Sequence, residues 1–99
     1  MIRHIVVFRF SPGSPAEQRE KFEELSGALR PLAGKIDGLQ SLRVDADPKD
    51  AATHWDAALV SEHNTWAALD AYQADPAHLE AVDTVNSVTV DKAIVDYEV

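Results

Sequence analysis

Four histidines are the side chains of this sequence best suited to chemistry, because the chain contains no cysteine. Disulfides, thiolate catalysis and cysteine-ligated zinc are therefore excluded. His54 and His63 lie nine residues apart, and no two of the histidines have the two- or four-residue spacing that favours metal binding. We expect no metal ion, and we interpret His54 and His63 as solvated residues at the two ends of a strand.

His78 has the position that most favours proton transfer. Asp75 and Pro76 have the residue types of a helix N-cap and first helical position, which places His78 at about the third position of that helix. The positive end of the helix dipole disfavours an imidazolium there, and a neutral imidazole can accept a proton. The structural alternative is a histidine that simply packs at the helix start beside Val82.

Hydrophobic periodicity predicts the strands that position these residues. Residues 2–10 alternate as a strand with apolar groups on both faces, and His4 shares one of those faces with Val6 and Phe8. A cavity under that face would make these three residues ligand-binding candidates, although a buried histidine that only hydrogen-bonds a neighbour is more common. Further strands are predicted over residues 39–46, from residue 55 to about 62, and over residues 93–99.

Helix signals separate these strands. Ser14 to Glu17 form a capping box that begins a helix, and Pro31 ends it near Arg30. After the third strand, Asn64 is predicted to cap a short helix with one apolar side, formed by Trp66, Leu69 and Tyr72. Asp75-Pro76 ends that helix and begins the next.

The resulting order, strand-helix-strand-strand-helix-strand, predicts one α+β domain over residues 1–99 with a ferredoxin-like βαββαβ sandwich. Short connections place the helices on one face of an antiparallel sheet. The other face is apolar at several positions and lacks cover, so we expect a second copy of the chain to cover it in a homodimer.

Bulk composition narrows the partners further. The net charge is −8, from nine basic and seventeen acidic side chains, which disfavours nucleic acid and anionic membrane surfaces. No apolar run is long enough to cross a bilayer, and the N-terminus has the pattern of a strand rather than a signal peptide. We therefore expect a cytoplasmic protein that binds neither nucleic acid nor membranes.

Four segments in register carry a resemblance to a known family: His4-Ile5-Val6-Val7-Phe8-Arg9-Phe10, Trp55-Asp56-Ala57-Ala58-Leu59-Val60-Ser61-Glu62, Leu69-Asp70-Ala71-Tyr72-Gln73-Ala74-Asp75-Pro76-Ala77-His78 and Val95-Asp96-Tyr97. With these segments, nearly the whole chain resembles the Dabb family of stress-responsive dimeric α/β-barrel domains. It implies a ferredoxin-like fold in a homodimer that forms a dimeric α/β barrel. It implies function less closely, because related barrels include polyketide cyclases, monooxygenases and stress-induced oligomers.

The same resemblance implies a catalytic pair, since the plant polyketide cyclase of the family has a tyrosine and a histidine where this chain has Tyr72 and His78. His78 would act as the general base beside a substrate carbonyl, while the Tyr72 hydroxyl would stabilise the oxygen that gains negative charge. Such chemistry needs no cofactor. Ala57 stands where the cyclase has a histidine, so the identical substrate is not implied.

Two functional hypotheses follow from the sequence. The first is a cofactor-independent enzyme, cyclase- or lyase-like, acting on a small aromatic or polyketide-like carbonyl compound. The second is a non-catalytic homodimer that binds a hydrophobic ligand or contributes to stress tolerance, in which Tyr72 and His78 are structural. An apolar cavity that exposes both side chains would favour the first hypothesis.

Overall fold

A four-stranded antiparallel sheet with three helices packed on one face forms the architecture, in a computed structural model that describes residues 1–99. Element by element, the chain contains β1 (Ile2–Phe10), α1 (Pro15–Leu29), a 3-10 turn (Arg30–Leu32), β2 (Leu39–Ala46), β3 (Ala57–His63), α2 (Trp66–Ala74), α3 (Pro76–Val88) and β4 (Thr89–Glu98). None of these helices has the length and hydrophobicity needed to span a membrane.

The strand order β2-β3-β1-β4 is that of the ferredoxin-like fold, which confirms the predicted α+β class. β1 lies in the centre, and Ile5 pairs with Val60 on β3 and with Val95 on β4. Because side chains alternate along a strand, each of these paired positions shares one face of the sheet.

Alternation along β1 defines two faces of different character. Its even-numbered residues are buried beneath the helices, whereas its odd-numbered residues are half-buried on the opposite face, which we call the open face. Leu25 and Leu29 of α1 and Val85 of α3 pack against the helix side in a core cluster of 17 buried residues. The core therefore lies between the helices and one side of the sheet.

The predicted start and end of the first helix are confirmed. Ser14 Oγ accepts a hydrogen bond from the Glu17 backbone N–H, and the Glu17 carboxylate accepts one from the Ser14 N–H. The hydrogen bond from the Ser14 backbone N–H is the main cause that holds the pKa of the Glu17 carboxyl below its ordinary value, and the Ser14 side chain adds to it. Pro31 then falls inside the 3-10 turn that follows the last α-helical residue, Leu29.

Thr65, not Asn64, is the N-cap of α2, which corrects the prediction. The Asn64 side chain accepts a hydrogen bond from Gln40 at 2.7 Å, so the Thr65 hydroxyl caps the Ala68 N–H instead. Trp66 is consequently the first helical residue, and it is 48% exposed rather than part of the buried stripe.

The starts of two strands also differ from the prediction. β3 begins at Ala57, and the preceding Asp56 bonds to β1 through its backbone N–H, which donates to the Phe8 carbonyl, and through its carboxylate, which accepts from the Phe10 N–H. β4 begins four residues earlier than expected, at Thr89, since α3 leads straight into it. The Val88 carbonyl is bonded to Ser11 N–H, which fixes the start of the pairing with β1.

Candidate active site

Four aromatic rings from four elements, three of them buried and that of His78 half-buried, form one cluster on the helix side of the sheet. The Tyr72 ring lies in the middle, with its centroid 4.5 Å from that of His78 and 4.8 Å from that of His63. The His4 ring lies 6.1 Å from His63 and 6.3 Å from Tyr72. The structure thus brings His4, Tyr72 and His78 together, and adds His63, which sequence reasoning had not placed with them.

Tyr72 enters the cluster from α2, three residues after the buried Leu69, so that both side chains point from the helix toward the sheet. Only 1% of the residue is exposed. Burial raises the pKa of Tyr72 to about 12, and no hydrogen bond within the chain opposes that effect. The phenol is therefore protonated at neutral pH and keeps an unused O–H donor.

His78 stands at the third position of α3, as the sequence predicted, after the cap that the Asp75 side chain supplies to the Ala77 N–H. Its Nδ1–H donates to the Gln73 carbonyl at 3.1 Å, which leaves Nε2 as the acceptor nitrogen. Burial is the main cause that lowers the pKa of His78, and the nearby His4 adds to it. A neutral, half-buried imidazole results.

His4 is fixed by a carboxylate that sequence reasoning missed. Its Nδ1–H donates to Asp96 Oδ1 at 2.5 Å, and His4 itself is 4% exposed. The two residues face each other because His4 and Asp96 are register partners in β1 and β4. The sequence signal was the Val95-Asp96-Tyr97 alternation, which puts Asp96 on the opposite face from its apolar neighbours, but the pairing register was needed to place it beside His4.

His63 is the clearest error of the sequence reading, which had interpreted it as a solvated strand-end residue. It is 0% exposed, because β3 continues to His63 and pairs it with Ile2 on one side and Leu39 on the other, beneath the Tyr72 ring. The period-two pattern Ala57, Leu59, Ser61, His63 was the available signal, since all four are buried on the helix side. His54 lies partly exposed, as predicted, and pairs with Asp47 at 2.8 Å.

The His63 ring has one bonded and one unbonded nitrogen. Nε2 lies 2.9 Å from the Ser61 hydroxyl, which is itself fully buried. Nδ1 is buried without any hydrogen-bond partner. Burial is the main cause that lowers the pKa of His63, and the nearby His4 lowers it further. His63 is therefore a neutral imidazole with spare hydrogen-bonding capacity.

Val6 and Phe8, predicted with His4 as ligand-binding residues, follow it on the same face of β1. Val6 is 7% and Phe8 3% exposed, and both belong to the apolar core. They extend the buried surface from the polar ring cluster toward the far end of β1.

Two surface cavities lie away from the ring cluster. One, of about 420 Å³, opens on the open face beside Trp55 and Ala58, and the other, of about 240 Å³, lies between α1 and α3 near Leu32 and Ala81. Neither is lined by Tyr72 or by any of the three clustered histidines. No group of three or more histidine or carboxylate side chains is arranged to hold a metal ion.

Chemically, the cluster combines an O–H donor with a neutral base in contact range. Tyr72 can donate to an oxygen, while His78 Nε2 can take a proton from a neighbouring carbon or oxygen. The Asp96 carboxylate fixes the orientation of His4, whose Nε2 remains available for a further bond.

Known proteins share this architecture. Two crystal structures are each described as a dimeric ferredoxin-like protein: one from Bacteroides fragilis, 25% identical with a TM-score of 0.86, covering 99% of this chain and 95% of that one, and one from Thermobifida fusca, 28% identical with a TM-score of 0.82, covering 99% and 90%. A hydroxynitrile lyase from Passiflora edulis is 18% identical, with a TM-score of 0.71 and coverage of 97% and 90%, and shares the fold.

No curated protein sequence matches the chain significantly. The model of one protein family does match, and it spans residues 2–99, which include every strand and helix of the chain. That family is described as the stress-responsive A/B barrel domain. The chain belongs to this family, Dabb.

Proposed function

We propose that the protein is a cofactor-independent enzyme that moves a proton next to the carbonyl of a small aromatic or polyketide-like compound. The observation that carries this proposal is the contact between Tyr72 and His78, whose ring centroids lie 4.5 Å apart with the phenol O–H and the imidazole Nε2 both free of partners in the chain. Enolisation needs a base that removes the proton and a hydrogen-bond donor that stabilises the carbonyl oxygen, and this pair provides both.

His78 takes the proton in this scheme. The bond from its Nδ1–H to the Gln73 carbonyl fixes the tautomer, so that Nε2 carries the lone pair. Burial lowers the pKa of His78 and keeps the base unprotonated at neutral pH. When Nε2 accepts a proton from the carbon beside the carbonyl, the carbon–hydrogen electron pair moves toward the carbonyl oxygen and forms an enolate.

Tyr72 stabilises that enolate. Its hydroxyl is protonated at neutral pH, because burial raises the pKa to about 12, and a hydrogen bond from it to the developing oxyanion strengthens as charge builds. His4, held by Asp96, lies close enough to contact the same substrate, and Val6 and Phe8 supply apolar surface further along β1. His78 is half-buried whereas Tyr72 is 1% exposed, so a substrate would approach the pair from the side of His78.

Deuterium exchange tests this proposal without knowledge of the natural substrate. The protein is mixed with para-methylacetophenone in deuterated buffer, and proton NMR follows loss of the ketone methyl signal. We expect exchange above the buffer rate, reduced about 100-fold or more in His78→Gln and about tenfold or more in Tyr72→Phe. His54→Ala, which removes the partly exposed loop histidine, is the matched control. Equal exchange rates in all four proteins would refute the assignment.

A second function is favoured by the closed interior. Tyr72 is 1% exposed and His63 is 0% exposed, and side chains packed in this way suit a structural role in a non-catalytic homodimer that contributes to stress tolerance or binds a hydrophobic ligand elsewhere. The non-catalytic alternative predicts that para-methylacetophenone binds, or that nothing binds, with no exchange beyond buffer.

We also propose that the active form is a homodimer joined through the open face. Its centre is aliphatic and incompletely covered, with Ile5, Val7, Val60 and Val95. Charged pairs surround it, including Arg3 with Glu62 at 3.2 Å. An apolar centre within a polar rim is the pattern of protein interfaces, and both cited ferredoxin-like relatives are described as dimeric. Sedimentation at micromolar concentration is expected to give twice the chain mass, and a monomer throughout would contradict the proposal.

A further inference from the structure

One polar atom in the ring cluster has no role in the acid–base scheme and no partner in the fold. His63 Nδ1 is completely buried and unbonded, although buried side-chain nitrogens and oxygens are nearly always satisfied. Such an atom costs free energy, which a hydrogen bond from a bound molecule would recover. The His63 ring that carries this atom lies 4.8 Å from the Tyr72 ring, between centroids, and so borders the candidate site.

The ring that carries this atom is held in a fixed orientation. Ser61 Oγ lies 2.9 Å from His63 Nε2, and the two residues are successive on the helix side of β3. If the hydroxyl donates, Nδ1 carries the hydrogen and is a donor, and if the hydroxyl accepts, Nδ1 carries the lone pair. In both cases Ser61 bonds to Nε2 and leaves Nδ1 available to a ligand.

The Tyr72 ring lies between the Ser61–His63 pair and His78. The Tyr72 ring contacts His63 and His78, whereas no ring contact joins the two histidines directly. A ligand that reaches both must therefore extend past the tyrosine, with its reacting end at His78 and its inner end at His63. The inner end meets His63, which lies between the apolar partners Ile2 and Leu39.

We propose that Ser61 and His63 form a hydrogen-bonding subsite that selects ligands whose inner end carries a hydroxyl group rather than an alkyl group. A neutral hydroxyl fits because it can donate to Nδ1 or accept from it, whichever tautomer Ser61 sets. A charged group would lose its hydration against Ile2 and Leu39 without a counter-charge. This inference rests on the proposed function, since it places the carbonyl end of the same ligand at Tyr72 and His78.

Two compounds of nearly equal shape test the subsite. Para-hydroxyacetophenone and para-methylacetophenone carry the same ketone, and their opposite ends differ only by hydroxyl against methyl. Their dissociation constants are measured by NMR titration of the whole protein. The wild type is expected to prefer the hydroxyl compound roughly tenfold or more. His63→Phe should abolish or invert that preference, Ser61→Ala should weaken it, and His54→Ala should leave it unchanged.

A second measurement does not depend on any variant folding correctly. In wild-type protein labelled with nitrogen-15, the Nδ1 resonance of His63 is expected to shift on saturation with para-hydroxyacetophenone and to stay in place with the methyl compound. Equal wild-type affinities, an equal loss for both compounds in His63→Phe, an unmoved Nδ1 resonance, or no binding of either compound at millimolar concentration would each overturn the proposal.

Binding and exchange separate this proposal from the proposed function. A hydroxyl preference with no exchange of the ketone methyl protons would refute the enzyme and keep the subsite. Exchange that depends on Tyr72 and His78, with no hydroxyl preference, would refute the subsite and keep the enzyme.

Discussion

The two faces of the sheet differ in an unexpected way, although the same strands form both. The face that the helices cover contains polar side chains, and the face that they leave uncovered is aliphatic at its centre. The helix side is covered by the chain itself, yet it contains three buried polar residues of β1 and β3, namely His4, Ser61 and His63. The open face has no cover within the chain, yet its centre is aliphatic. Leu59 and Val60 are adjacent in β3, and Leu59 is 2% exposed on the helix side whereas Val60 is half-buried on the open face.

This contrast indicates that the two faces have different functions. Buried polar groups cost stability unless they are paired, so a cluster of them under the helices points to chemistry or binding there. Aliphatic groups left half-covered point to association, because their burial stabilises whatever covers them by about 25 cal/mol per Å² of apolar surface. The helix side should therefore control ligands and folding, and the open face should control assembly.

A charge at the centre of the open face is the strongest way to break the contrast. Val60→Asp would bury a carboxylate between two sheets in a dimer, and its cross-strand neighbour Arg43 already pairs with Asp45. We therefore expect the dissociation constant to rise at least about 100-fold. In the monomer the same carboxylate stays solvated, and the fold should persist. Sedimentation velocity and far-UV circular dichroism measure the two effects.

Leu79→Asp is the matched control for that experiment. Leu79 is 53% exposed on α3, on the outer surface of the helices, so the same charge is introduced away from the sheet. The control protein should remain dimeric. Dissociation of both variants, or of neither, would argue against assembly through the open face.

Truncation of the two neighbours in β3 sharpens the contrast. Leu59→Ala leaves a cavity in the helix-side core and should lower the free energy of unfolding by about 2–5 kcal/mol. Val60→Ala, measured in the monomer at low protein concentration, should lower the free energy of unfolding by less than about 1.5 kcal/mol, because Val60 is only half-buried within the chain. Urea unfolding measured below the dimer dissociation constant compares the two. Equal losses would show that the open face carries as much monomer stability as the core.

Sequence patterns predicted the strands and caps where local chemistry decides the structure. The bounds of β1 and β2, the Ser14 capping box and the Asp75 cap all depend on residues close together in the chain. The fold class and the covered face of β1 followed from alternation over nine residues.

Long-range pairing caused the errors. Asn64 has the right residue type for a cap, but Gln40, 24 residues earlier, occupies its side chain. From the sequence, His63 has the position of a strand end, but in the sheet it lies between β2 and β1. His4 and Asp96 are 92 residues apart in the chain, and only the register between β1 and β4 brings them together. The cluster around Tyr72 is therefore a property of sheet register, which spacing along one chain does not encode.

Mild acid should weaken the helix side selectively, and this is the smallest of the expected effects. Burial lowers the pKa of His63 and of His78 in the folded protein, so below the unfolded value of about 6.5 the unfolded chain binds more protons than the folded one. The free energy of unfolding must then fall as the pH falls through 6.5, until the lower folded pKa values are passed. Above 6.5 both states are neutral at these histidines and the contribution is flat.

Urea unfolding at about pH 7.5 and 5.5 measures this loss of stability. His63→Phe removes one of the two histidines whose pKa is lowered by burial, and should show a smaller difference between the two pH values than the wild type. Val60→Ala, which removes no titratable group and lies on the open face, should keep the wild-type difference. If His63→Phe also kept the wild-type difference, the fold would not hold the buried His63 imidazole neutral. Acid sensitivity could then not be assigned to the helix side of the sheet.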